Sequence, residues 1–317
     1  PWRIQMNERD WKRIFSRVGL ACAGFLILAV LAQYLIAWIF LVLGLDFMDM
    51  DTQLLISSAA MYLLAFPAAA GIFKTVSYPK PVRVHEKWTW GVWGIVFLIC
   101  VGTMMAGNLI GRGFMLLLGS KTSSNAVEEV VVNSSLPVAF LTIVATGPVV
   151  EELLMRKLVI DRILIFGEKT AVIVSGFFFG LLHGNFYQFF YAFALGMIFG
   201  YVYVRTGKVR NTIILHILVN FMGSVLLMGL LEWGSLPGIA GIMGILVLLG
   251  YELCYLAASV GGIVLLIAYW KKIRFYQTPY EWSAPAMTAK KRLGIIFGNF
   301  GVIFFLLISL VEFAFNL

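Results

Sequence analysis

Residues 138–160 read VAFLTIVATGPVVEELLMRKLVI. An uncharged stretch runs through Val150 straight into Glu151 and Glu152, and apolar residues resume around Arg156 and Lys157 and continue to Phe166. An ionised side chain at membrane depth costs about 2.5–3.5 kcal/mol on insertion scales, so it is kept only where it faces a partner or a water-filled cavity. Two further polar islands with helical spacing follow: Phe179 with His183, and His216 with Asn220. Two carboxylates, an arginine, two imidazoles and a carboxamide inside apolar runs read together as a buried reaction centre.

Composition sets the frame. The chain of 317 residues is 61% hydrophobic and 13% charged, whereas an ordinary soluble domain carries about 25% charged residues. An all-α, polytopic transmembrane bundle is expected, with apolar runs at 18–44, 53–73, 90–118, 138–155, 170–185, 186–204, 211–231, 238–270 and 293–315. Each is near the ~20 residues that cross a bilayer, which makes about nine crossings, with a turn at Gly184-Asn185. The run 238–270 exceeds one span and invites a tilt or a re-entrant piece that changes near Glu252. Three parts follow: 1–137 with three helices, a core at 138–232, and carboxy-terminal helices at 233–317. No cleavable leader is expected, because Pro1–Arg17 is long and mixed in charge and the first apolar run is long enough to be retained.

Charge orients the bundle. Segments 1–17, 74–87, 156–169, 205–210 and 271–292 hold 22 of the 24 Lys and Arg residues, and only Arg112 and Lys121 lie elsewhere. The opposite loops carry Asp46, Asp49, Asp51, Glu128, Glu129 and Glu232. By the positive-inside rule the amino terminus is cytoplasmic and the carboxy terminus outside. The net charge of +8 is thus a matter of orientation; no aromatic-interleaved basic patch points to nucleic acid. Cys22, Cys100 and Cys254 sit in apolar runs without metal-type spacing and are expected as small buried hydrophobes. Segment 121–135 (KTSSNAVEEVVVNSS) is expected as a polar outer loop with a short amphipathic helix.

Glu151 and Glu152 are neighbours, so on a helix they point about 100° apart and cannot share one role. Glu152 and Arg156, four apart, can pair, which leaves Glu151 free to act. Pro148 suits a helix first turn or a break just before the carboxylates. Each island alone has an ordinary structural account: a water-facing helix start, a histidine bonded to a backbone carbonyl, a polar contact between helices. Their concentration in acid–base groups favours chemistry. Glu with His can deprotonate and orient a water, and His with Asn can donate hydrogen bonds to an oxyanion. Alternatively Glu151, His183 and His216 can coordinate one divalent metal such as zinc, with an open position for that water. The residues leave both routes open.

The ordered triplet Glu151-Glu152-Leu153-Leu154-Met155-Arg156, Phe179-Gly180-Leu181-Leu182-His183 and His216-Ile217-Leu218-Val219-Asn220 resembles the CAAX-protease and bacteriocin-processing (CPBP, or Abi) family of intramembrane endopeptidases. The stretch Gly196–Gly207 (GMIFGYVYVRTG) is similar too, and the resemblance covers about 138–232. It implies that Glu151 and His183 activate water, that His216 and Asn220 stabilise the oxyanion, and that Glu152 and Arg156 support them. It also implies a membrane-embedded or lipidated peptide substrate, of the prenylated CAAX or bacteriocin and signal-peptide type, and a bacterial plasma membrane. Family members have been described both as metalloproteases and as metal-independent glutamate proteases. The rival from another class is a transporter or proton-coupled channel, with Asn108, Arg112 and Glu252 as pathway residues; it would carry repeat symmetry, and no internal repeat is visible.

Overall fold

The computed structural model describes residues 6–76, 78, 85–119, 129–130, 133–276 and 288–316. Every element among them is helical. In chain order they are α1 (Glu8–Val42), α2 (Met50–Lys74), α3 (Trp90–Leu117), α4 (Leu136–Phe166), α5 (Glu168–Leu181), α6 (Phe186–Thr206), α7 (Val209–Gly234), α8 (Gly238–Lys272), α9 (Ala289–Phe297) and α10 (Phe300–Phe315). Seven are long and apolar enough to cross a membrane, and α9 with α10, bent by 71°, makes an eighth. Helix α5 has 14 residues; at about 1.5 Å per residue it is shorter than the ~30 Å hydrocarbon layer.

Local signals set the boundaries. Asn7 begins α1 with a capping box: its side chain accepts from the Arg9 and Asp10 N–H groups while Asp10 accepts from Asn7 N–H. Asn185 caps α6 in the same sense, accepting from Gln188 N–H at 2.9 Å. Between α5 and α6, Gly184 takes φ +64°, a left-handed conformation that glycine adopts without a Cβ clash. The two helices return against each other so closely that a methyl group on Gly196 would lie 3.0 Å from Gly176 Cα. Such contacts replace hydrophobic driving force where the solvent is itself apolar.

Several expectations are revised. Segment 156–169 is not a loop: α4 continues to Phe166, and Arg156 is buried in it. Pro148 stands, as expected, in the first turn of an α-helical segment, Gly147–Glu152, but that segment lies inside the continuous α4: a π-helical turn at Phe140–Thr146 precedes it and carries the chain past the missing N–H. The long run from Gly238 is one continuous helix through Glu252, with no re-entrant piece. Cys22 and Cys100 are buried, but Cys254 is exposed on α8, where an apolar thiol meets lipid as readily as core. The short helix expected within 121–135 falls mostly outside the described residues.

The five basic segments lie together at one end. Arg17 donates to the Thr75 carbonyl, Arg162 Nη2 to the Phe73 carbonyl at 2.7 Å, and Lys291 stands 3.4 Å from Glu8. Arg205, buried at the end of α6, pairs with Glu86, reaches Glu168 Oε2 at 3.1 Å and stacks over Tyr276 at 3.7 Å. Burial alone would raise the Glu86 carboxyl, but hydrogen bonds from Arg205 and Trp88 hold it below the usual carboxylate range. A carboxylate with a depressed pKa adds stability above its unfolded pKa and loses it as pH falls through the folded one. The melting-temperature advantage of wild type over Glu86→Gln should therefore shrink between neutral pH and about pH 4. A difference that stays constant with pH in detergent-phase melts would show that the Glu86 charge contributes nothing to this end of the bundle.

Candidate active site

Glu151 and Glu152 occupy one turn of α4 between two π-helical turns, at 140–146 and 153–160. The extra residue in each turn re-aims the side chains that follow. Glu152 turns inward: Arg156 donates to it through Nε at 2.8 Å and Nη2 at 3.2 Å, and both side chains are wholly buried. The remaining arginine donor, Nη1, meets Ser175 Oγ at 2.9 Å, and the guanidinium lies over Phe179 at 5.5 Å. Glu151 turns the other way and keeps 31% of its side chain exposed, into a cavity of about 2010 Å³. The two carboxylates thus face different sides of the helix, as the offset of about 100° implies.

His216 reaches this turn from α7. Its Nε2 stands 3.8 Å from Glu151 Oε2 and its Nδ1 3.3 Å from Glu152 Oε1, the latter contact lying outside hydrogen-bond geometry. Phe199 lies tilted against the ring at 5.2 Å and Phe179 meets it edge-on at 5.8 Å, so two aromatic rings hold the imidazole beside both carboxylates. His183 follows the last turn of α5, with Nδ1 2.8 Å from the Phe179 carbonyl. A carbonyl can only accept, so Nδ1 carries the proton and Nε2 of the neutral ring keeps its lone pair. Asn220, one turn beyond His216, donates Nδ2 to the Ile143 carbonyl at 3.0 Å. In the π register Ile143 is the acceptor that Pro148, lacking an N–H, leaves without its donor.

Glu151, His183, His216 and Asn220 all line the one cavity, and Glu152 and Arg156 stand behind its wall. Asn108, Arg112 and Glu252 line it as well, as does Glu312 of α10. Glu312 Oε2 would lie 3.1 Å from a methyl group on Gly184, and Asn316 donates to the Gly184 carbonyl at 3.1 Å, so the last helix braces the turn that carries His183. A lone carboxylate in the run 293–315 obeys the same rule that singles out Glu151, and that signal was available in the sequence. Ser175 had a weaker one, its place four residues before Phe179 on the same helix face. Among the described residues no three His, Cys, Asp or Glu side chains converge to hold a metal ion; Glu151, His183 and His216 share the cavity without forming a ligand set.

The model of one protein family, Type II CAAX prenyl endopeptidase Rce1-like, matches residues 132–222. The chain is 29% identical over 109 residues to the membrane-embedded CAAX protease MroQ of Staphylococcus aureus (strain USA300), covering 32% of this chain and 44% of that protein. It is 26% identical over 104 residues to the putative membrane peptidase YdiL of Bacillus subtilis (strain 168), covering 32% and 41%. The chain thus spans less than half the length of these relatives. No solved structure matches it. The matched segment contains all three polar islands, from Glu151 to Asn220. With seven helices long and apolar enough to span and a matched segment that carries the cavity-lining residues, the chain is an integral membrane protein whose residues 132–222 are similar to Type II CAAX prenyl endopeptidase Rce1-like proteins.

Proposed function

We propose that the protein is an intramembrane endopeptidase that hydrolyses a peptide bond of a membrane-embedded or lipidated peptide. The observation that carries this is the convergence of Glu151, His183, His216 and Asn220 on one cavity, with the Glu152–Arg156 pair behind it. Glu151 and the free Nε2 of His183 take a proton from a water, whose oxygen attacks the substrate carbonyl carbon. The carbonyl oxygen gains the negative charge and receives hydrogen bonds from a ring N–H of His216 and from Asn220. Collapse breaks the C–N bond, and the proton held by Glu151 or His183 passes to the leaving amine. Glu152 and Arg156 hold His216 in place. Residues 138–232 form the catalytic core, and helices from both flanks close the cavity around it.

Five basic segments gathered at one end support a cytoplasmic amino terminus; nine crossings count α5 as a short traverse, and the similarity to membrane proteins of two bacteria supports residence in a bacterial plasma membrane. Reconstituted protein incubated with membrane peptides should yield new peptide termini by mass spectrometry. Failure to cut any member of a broad membrane-peptide set would refute the proposal. Dependence on a metal is a separate measurement. Cleavage surviving a strong chelator, with no metal by elemental analysis, is the result expected of the Glu/His route; loss on chelation and recovery with zinc would assign Glu151, His183 and His216 to a metal instead. A second reading, a proton-coupled pathway, draws on Asn108, Arg112 and Glu252 lining the same cavity; it predicts proton flux in the same vesicles that Glu252→Gln stops.

A further inference from the structure

A π-helical turn at Ala60–Ala65 of α2 carries Tyr62 into the cavity wall, outside the matched residues 132–222. Such turns recur at functional sites because the extra residue re-aims a side chain. The target here is a bare stretch of α4. A methyl group added to Gly147 would lie 3.1 Å from the Tyr62 hydroxyl oxygen, 3.6 Å from Glu151 Oε1 and 3.0 Å from the Thr142 carbonyl oxygen. The phenol and the Glu151 carboxylate therefore press on the same missing side chain. The other Glu151 oxygen, Oε2, faces His216. Asn220 already spends one amide N–H on the Ile143 carbonyl, one turn before Gly147, which leaves it a single donor for a developing oxyanion.

We infer that Tyr62 is a further catalytic residue, whose phenol donates a hydrogen bond to the substrate carbonyl oxygen as that oxygen becomes negative. The inference rests on the hydrolytic reading of the cavity. Tyr62 keeps its proton throughout; the proton released by water goes to Glu151 or His183 and then to the leaving amine. A neutral hydroxyl suits the task, since it is a fixed donor that adds no buried charge before the reaction begins. The absence of a side chain at Gly147 leaves open the space that both the Tyr62 hydroxyl and the Glu151 carboxylate border.

The test compares wild type, Tyr62→Phe, Gly147→Ala and Glu151→Gln on one membrane peptide that the wild type cleaves. Tyr62→Phe should lower kcat by on the order of 10²-fold, the usual effect of one oxyanion donor, with KM and melting temperature unchanged. Gly147→Ala, which thrusts a methyl group at the hydroxyl, should lose activity alone and add little to Tyr62→Phe. Wild-type kcat in Tyr62→Phe, with Glu151→Gln inactive, overturns the role of Tyr62 and leaves the hydrolytic reading intact. A change confined to KM also overturns it, by making Tyr62 a binding contact. Cleavage that persists in Glu151→Gln overturns both.

Discussion

Glu151→Gln is expected to lower peptide cleavage by about 10²–10⁴-fold, the range general acid–base groups supply, while the melting temperature holds. The substitution keeps shape and removes only the base. Glu151 faces the cavity, with His216 at 3.8 Å and no buried arginine to strand, so folding has little to lose. His183→Ala should be as inactive through the other half of the same step, because the free Nε2 disappears. It should also show a small stability loss of about 0.5–1.5 kcal/mol, from the hydrogen bond to the Phe179 carbonyl. Rates of purified variants in proteoliposomes, with circular dichroism melts, decide the matter. Full cleavage by both would mean that the water is activated elsewhere.

Glu152→Ala and Arg156→Ala should each cost about 3–5 kcal/mol of stability, as removal of one partner from a buried ion pair does. Arg156→Ala leaves a wholly buried carboxylate with His216 beside it and no arginine to neutralise it. Glu152→Ala leaves a buried guanidinium with Ser175 as its remaining polar partner and frees one side of His216. Activity should fall in both because the imidazole loses its orientation. The double variant should be more stable than the sum of the single losses implies, since it strands no charge. Melting temperatures unchanged in both single variants would mean that this pair does not hold the helix face.

Residues within one or two helical turns were legible from the chain alone. The bidentate Glu152–Arg156 bond, the outward turn of Glu151 and the break at Gly184-Asn185 follow from 3.6-residue geometry and glycine's freedom, and the coordinates contain all three. Where a π-helical turn intervenes, that geometry misleads. Pro148 opens an α-helical turn that is internal to α4, and the basic segment that starts at Arg156 continues α4 to Phe166 instead of leaving the helix. The bland account of His183, a ring satisfied by a backbone carbonyl, also holds; the same bond is what leaves Nε2 available for chemistry.

Apolar runs interrupted by ionisable groups were enough to place this chain in a membrane and to pick out four residues that line one cavity and the buried pair behind it, because desolvation acts on each side chain whatever its neighbours. Which groups meet was settled only by the packing of distant helices. Tyr62 from α2, His216 from α7 and Glu312 from α10 reach one cavity across more than a hundred residues of chain. Local periodicity records which face a side chain takes on its own helix. It holds no information about the helix opposite, so Tyr62 and Glu312 acquire their place beside Glu151 and His183 from tertiary structure alone.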